Sequence, residues 1–215
     1  MSKVKIQGNA SGTGVLTVEA PNTSTDRTVT LPDATGTLLM TDGDGSNLTG
    51  LSSGGKLLQV VQTHLITTSS TSTPESLNTY VNITDLNATI TPSSTSSKIR
   101  VTIRWNGAVS AQLHGEIFGI RRDSTVIGNP ASAGGRPIGM CNLTTNYTNT
   151  YSQHTQAAYY SYVDSPSSTS AITYHAIATN GGNGCTVYTN RTVSDTSAND
   201  YERLTSTIIL EEIGA

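Results

Sequence analysis

The chain is poor in charge, in aromatic carbon and in sulfur, and each shortage closes off a class of protein. Charged residues make up 13% of its 215 residues, and 12 basic side chains are outnumbered by 15 acidic ones for a formal charge of -3. A nucleic-acid binder carries a concentrated basic face, so no nucleic-acid partner is expected. No apolar run approaches the roughly 20 residues that a membrane-spanning helix needs, so membrane insertion is not expected either. Val4 and Ile6 are too few for the apolar stretch of a secretory signal. Cys141 and Cys185 are the only cysteines and show no metal-site spacing. Two free thiols are the expectation for a chain assembled in a reducing cytosol, although the turn Gly181-Gly182-Asn183-Gly184 before Cys185 leaves a bridge open.

What the chain has in quantity is hydroxyl and β-branched side chains, with 36 Thr and 26 Ser. Disordered chains combine low hydrophobicity with high net charge. Here the charge is small, and stiff β-branched residues suit a pleated surface, so the composition predicts an all-β protein.

Two regions differ in texture. Residues 1–50 carry short strand candidates at 4–6, 15–19, 27–31 and 36–40, separated by Gly8-Asn9, Pro21-Asn22 and Pro32-Asp33, the spacing of a small ribbon or meander arm. Their apolar side chains, chiefly Val4, Ile6, Val15, Leu16, Val18, Val29, Leu31, Leu38 and Leu39, are too few to offset the entropy of ordering the segment. Burial against other chains is the remedy, which makes these residues candidates for docking and trimerisation. Residues 51–55 read as a linker. From 56 to 215 longer strands are predicted at 56–68, 79–83, 88–91, 98–109, 116–122, 125–127, 159–163, 171–178, 185–189 and 205–213, with an irregular stretch over 128–149. Eight or more strands without a helix point to a jelly-roll-like β-sandwich. Ile99, Val101, Ile103 and Trp105 alternate with Lys98, Arg100 and Arg104, so the former should form one core wall and the latter a solvated face. Ile172, Tyr174, Ala176 and Ala178 are the expected opposite wall.

Catalytic patterns are sparse. Glycoside hydrolysis needs paired carboxylates; Glu116, Asp123, Asp164 and Glu202 are the scattered candidates, and Glu211-Glu212 are neighbours on a strand that point to opposite faces. His64, His114, His154 and His175 offer no three-ligand set, and His114-Gly115-Glu116 lacks a third partner. Asp42-Gly43-Asp44-Gly45 imitates the start of a calcium loop without its closing ligands. No catalytic residue, metal or cofactor is expected, and the chain reads as a non-enzyme.

The segment Lys5-Ile6-Gln7-Gly8-Asn9-Ala10, followed by Ala20-Pro21-Asn22 and by Asp26-Arg27-Thr28-Val29-Thr30-Leu31-Pro32-Asp33-Ala34-Thr35-Gly36-Thr37-Leu38-Leu39, resembles a module of tail-fibre and other virion proteins of bacteriophages. Ala88-Thr89-Ile90-Thr91-Pro92-Ser93 and the ending Ile208-Ile209-Leu210-Glu211-Glu212-Ile213 are similar to a C-terminal domain of such proteins. The resemblance implies a virion protein assembled in the host cytoplasm. It implies a homotrimer docked on other virion proteins, of tail or capsid, through its first 50 residues, with the sandwich displayed outward as a short tail fibre or receptor-facing appendage. The alternative within the same resemblance is a capsid decoration protein that cements the head; a polysaccharide-degrading spike is the third reading. Tyr147, Tyr151, Tyr159, Tyr160 and Tyr162 gather amid Ser, Thr and Asn, the makeup of a binding surface. They are candidates for contact with a host surface glycan or protein, or with a neighbouring subunit.

Overall fold

The computed structural model describes residues 11–15, 24–26, 55–110, 116–132, 134–143 and 154–214. The chain divides into two units, Met1–Gly50 and Leu51–Ala215. Of the nine docking candidates in the first unit, Val15 alone falls among the described residues, where it is exposed; Val4, Ile6, Leu16, Val18, Val29, Leu31, Leu38 and Leu39 lie outside them. The strand candidates of that unit lie outside as well, apart from Val15.

The second unit is an all-β sandwich of two antiparallel sheets, with no helix among its described residues. Its strands are β1 (Leu57–Leu65), β2 (Ser69–Thr73), β3 (Val81–Ile90), β4 (Lys98–Val109), β5 (Ile117–Arg122), β6 (Thr125–Ile127), β7 (Cys141–Asn142), β8 (Gln156–Asp164), β9 (Ile172–Thr179), β10 (Cys185–Thr189) and β11 (Ser206–Ile213).

Register reduces these to eight lines. Along one edge of β4, β11 pairs with Lys98 to Arg104 and β10 continues the same edge at Gly107 to Val109. Outside them β1 pairs with β11 and β2 with β10. Thus β1 and β2 are one broken line, and β10 and β11 another. The opposite edge of β4 carries β8, from Ile99↔Asp164 to Gly107↔Gln156. The first sheet therefore runs β1/β2, β11/β10, β4, β8. The second runs β3, β9, β5, with β6 and β7 sharing the far edge of β5. Successive lines cross between the two sheets except at the β5–β6 hairpin, which is the jelly-roll connection pattern.

The alternation read in β4 holds. Ile99, Val101, Ile103 and Trp105 are fully buried, while Lys98, Arg100 and Arg104 are exposed. Ile172, Tyr174, Ala176 and Ala178 form the facing wall on β9. Between the walls Trp105 lies 4.8 Å from Phe118, ring centroid to centroid, and its Nε1 donates to Thr189 Oγ1 at 3.0 Å. That bond satisfies the one polar atom of a buried indole.

Three strand expectations need correction. The run expected over 56–68 stops at Leu65 and resumes as β2, because the line turns a corner there; Asn190 Nδ2 donates 2.8 Å bonds to both Leu65 O and Thr67 O at that break. The segments 79–83 and 88–91 are one strand, β3. Its register on β9 jumps between Asn82 and Asn87, with Asp85 in the left-handed region at φ 60°. This β-bulge absorbs the polar interruption that divides the pattern in the sequence. The stretch 128–149, expected to be irregular, contributes the short β7.

Candidate interaction surfaces

The tyrosine cluster resolves by alternation along β8. Tyr159, opposite Arg104, points to the outer face and is 68% exposed. Tyr160, opposite Ile103, points inward; it is 6% exposed, and its hydroxyl donates to Gly119 O at 3.1 Å. Burial, with a smaller contribution from nearby Cys141, pushes the Tyr160 phenol far above its ordinary pKa. Its place among the surface candidates is therefore corrected: the period of two sends one tyrosine into the core for each one it exposes. Tyr162 is half-exposed and lies across Gly128, where a Cβ would come within 3.1 Å of its ring. Tyr147 and Tyr151 lie outside the described residues.

Around Tyr159 the outer face of the first sheet is built from matched rows. Val60, Glu211, Arg100 and Val163 form one row, and His64, Thr207, Arg104 and Tyr159 another. Arg100 grips Glu211 with two bonds of 2.6 and 2.7 Å, and this holds the Glu211 carboxyl below its usual range. Exposed apolar side chains collect on the two outermost strands, Leu57, Leu58 and Val60 on β1 and Val163 on β8. Each of these nine-residue strands pairs on one side only among the described residues. Neither carries Lys or Pro, the usual devices that keep a free edge from pairing. β1 and β8 run antiparallel to each other, since three antiparallel pairings separate them.

The carboxylates considered for catalysis have structural work instead. Asp164 accepts from Arg122 and from the Tyr174 hydroxyl, and Asp123 Oδ1 caps Thr173 N at 2.9 Å. Glu202 Oε2 accepts from both N and Oγ1 of Thr155. Glu211 and Glu212 face opposite sides: Glu212 is fully buried and accepts from Ser93 N, Ser93 Oγ and Gln59 Nε2. Burial opposes its charge, but these bonds together outweigh it and hold the carboxyl down at about 2.

Glu116 is 1% exposed, and its Oε1 takes the Cys185 thiol at 2.7 Å while Oε2 has no partner among the described residues. Burial raises its pKa to about 7 against the lowering effect of that bond. Both cysteines are free thiols; burial, together with Glu116, pushes Cys185 up to about 12, so its sulfur is an unreactive core group. Among the described residues no three His, Cys, Asp or Glu side chains converge as a metal site. His64 meets Thr207 Oγ1 at 3.3 Å and His154 stands 3.9 Å from Glu202, whereas His114 lies outside the described residues.

One feature has no signal in the sequence. Between β10 and β11 the chain leaves the sheet and returns, forming a loop over 191–205. Its neck is closed by the Arg191↔Arg203 bridge and by Leu204 N on Asn190 O at 3.1 Å. Composition alone marks this segment only as polar, because its closure depends on partners distant along the chain. Compared with protein-family models and with curated proteins, the chain matches none.

Proposed function

We propose that this chain is a non-enzymatic structural component of a bacteriophage particle, a homotrimeric short tail fibre or receptor-facing appendage docked by residues 1–50. The observation that carries the oligomeric part is the pair of strands β1 and β8, each paired on one side only among the described residues and neither carrying Lys or Pro. A surface of one kind on one side and its antiparallel complement on the other is what a head-to-tail ring requires. Rotation about an axis along the strands sets β8 of one copy beside β1 of the next in antiparallel sense. The join would bring Tyr159 and Val163 against Leu57, Leu58 and Val60 and cover both edges. The particle assignment rests on the resemblance of roughly the first 45 residues, and of the C-terminal part, to phage virion proteins. The sandwich, with Asp123, Asp164 and Glu212 bonded to neighbouring segments, supports display rather than catalysis.

Two quantities test the reading. The mass in solution should be three times that of the 22.5 kDa chain; a monomer at micromolar concentration would defeat the ring. Copy number in purified particles should be a few to tens. Hundreds per particle would instead make the chain a decoration protein of the head.

A further inference from the structure

We propose that the 191–205 loop is a binding site for a neutral glycan. The loop borders a half-open hollow of about 440 Å³ beside Asp195, Asn199, Tyr201, Glu202 and Arg203. That volume lies within the range of small-ligand sites and holds roughly one or two sugar rings. The charged groups at its border, Asp195, Glu202 and Arg203, are held before any ligand arrives. Arg203 grips both oxygens of Asp195, Nε at 2.8 Å and Nη2 at 2.7 Å. Thr155 fixes Glu202 with bonds of 2.7 and 2.6 Å to Oε2, and His154 stands 3.9 Å from Oε1. Within the loop Ala198 N donates to Thr196 O and Tyr201 N to Ala198 O, which sets the bend carrying Asn199. At the neck Arg191 lies over the Tyr188 ring at 4.3 Å and donates to Thr192 O and Val193 O.

This is a compact surface loop with its ends together, a form that frequently carries function. Its chemistry suits sugars. The Asn199 amide and the remaining lone pairs of the carboxylates can bond sugar hydroxyls, and the half-exposed Tyr201 offers an aromatic face to the C–H side of a ring. The preformed bonds keep the ordering cost of binding low. Charge selects among glycans. Asp195, Asp200 and Glu202 oppose Arg203 within the loop, with Arg191 at the neck, so sialic or uronic acids would meet a net negative rim. Hexoses and N-acetylhexosamines would not. The site gives the receptor-facing reading a location and rests on it only for where the sugar comes from.

The test uses the purified full chain on an immobilised panel of neutral hexose and N-acetylhexosamine oligosaccharides beside sialylated and uronic ones. Retention of at least one neutral class is expected. Tyr201→Ala and Asn199→Ala should each weaken it about tenfold, the size expected for one lost hydrogen-bonding or stacking group, with unchanged melting. Tyr201→Phe should stay close to the parent. Three results would overturn the site: no neutral glycan retained, retention unchanged in both alanine variants, or preference for the acidic set. Because the assay needs no particle, its failure is separate from failure to find the chain on a virion.

Discussion

Arg122 on β5 places its Nη1 2.8 and 3.0 Å from the two carboxylate oxygens of Asp164, the last residue of β8, and so ties the second sheet to the outer strand of the first. Tyr174 on β9 donates to the same carboxylate at 2.7 Å. Asp164 is buried, whereas Arg122 keeps about a quarter of its side chain in water. Removing the carboxylate strands two donors at the sandwich rim. Asp164→Ala should cost about 3 kcal/mol, the low end for a broken buried pair, while Asp164→Asn, which can still accept from Tyr174, should cost less. Chemical denaturation of the two variants checks the order; equal losses would mean that the acceptor retained by Asn contributes nothing and that the whole loss is that of the charge.

Stability should fall as pH rises from about 4.5 to about 7. The Glu116 carboxyl ionises at about 7 in the folded chain and near 4.5 when unfolded, so the native state binds the extra proton between those values. Its contribution is complete below about 4.5 and declines as pH rises to about 7, on the order of 3 kcal/mol in all. Glu212 works in the opposite sense: its folded value of about 2 gives stability present above about 4.5 and lost as pH falls toward 2. Urea denaturation from pH 4.5 to 8 should show a decline that Glu116→Gln abolishes. A flat profile over that interval would place the Glu116 side chain in water.

Asn190 is the fastening of the broken line. It is fully buried, sits at φ 62°, donates to Leu65 O and Thr67 O, and accepts from Ser206 Oγ at 2.7 Å. Asn190→Ala loses these bonds and adds backbone strain, so a cost of about 3 kcal/mol or more is expected. Asn190→Gly relieves the strain alone and should recover about 1 kcal/mol of it. Identical melting of the two variants would show that backbone conformation is irrelevant there.

Gly107 is needed for want of space. A Cβ on it would fall 1.9 Å from Tyr188 O and 2.7 Å from Trp105 Cζ2, where β4 meets β10. Gly107→Ala should therefore cost about 3 kcal/mol, the upper end for overpacking, and a neutral result on thermal melting would be incompatible with that approach of strands.

How far the sequence could be read follows from these residues. The faces of β4, the wall on β9 and the opposed directions of Glu211 and Glu212 were legible, because each depends on a period of two within one strand. The strand order, the break at Leu65 and the bulge at Asp85 were not, since pairing between segments remote in sequence leaves no local pattern. Tyr160 shows the limit within the candidate surface itself: a cluster in sequence is divided between core and solvent by the same alternation. Asn190 and the loop it closes were illegible for the reason that their partners, Leu65, Thr67 and Ser206, are remote.

Adjacent tyrosines provide a paired contrast. Tyr159→Ala should leave melting unchanged while weakening host-cell adsorption or trimer association; Tyr160→Ala should lower stability by about 3–5 kcal/mol through the cavity it leaves. Lowered melting with normal adsorption and mass in Tyr159→Ala would make that ring a structural cover only.

Electron micrographs of purified phage particles labelled with an antibody against the sandwich bear most directly on the assignment. Label at the tail, a few copies per particle and clear of the shell, is the expected picture. Particles that carry no label, from a lysate in which the free chain is readily detected, would contradict a structural role on the virion.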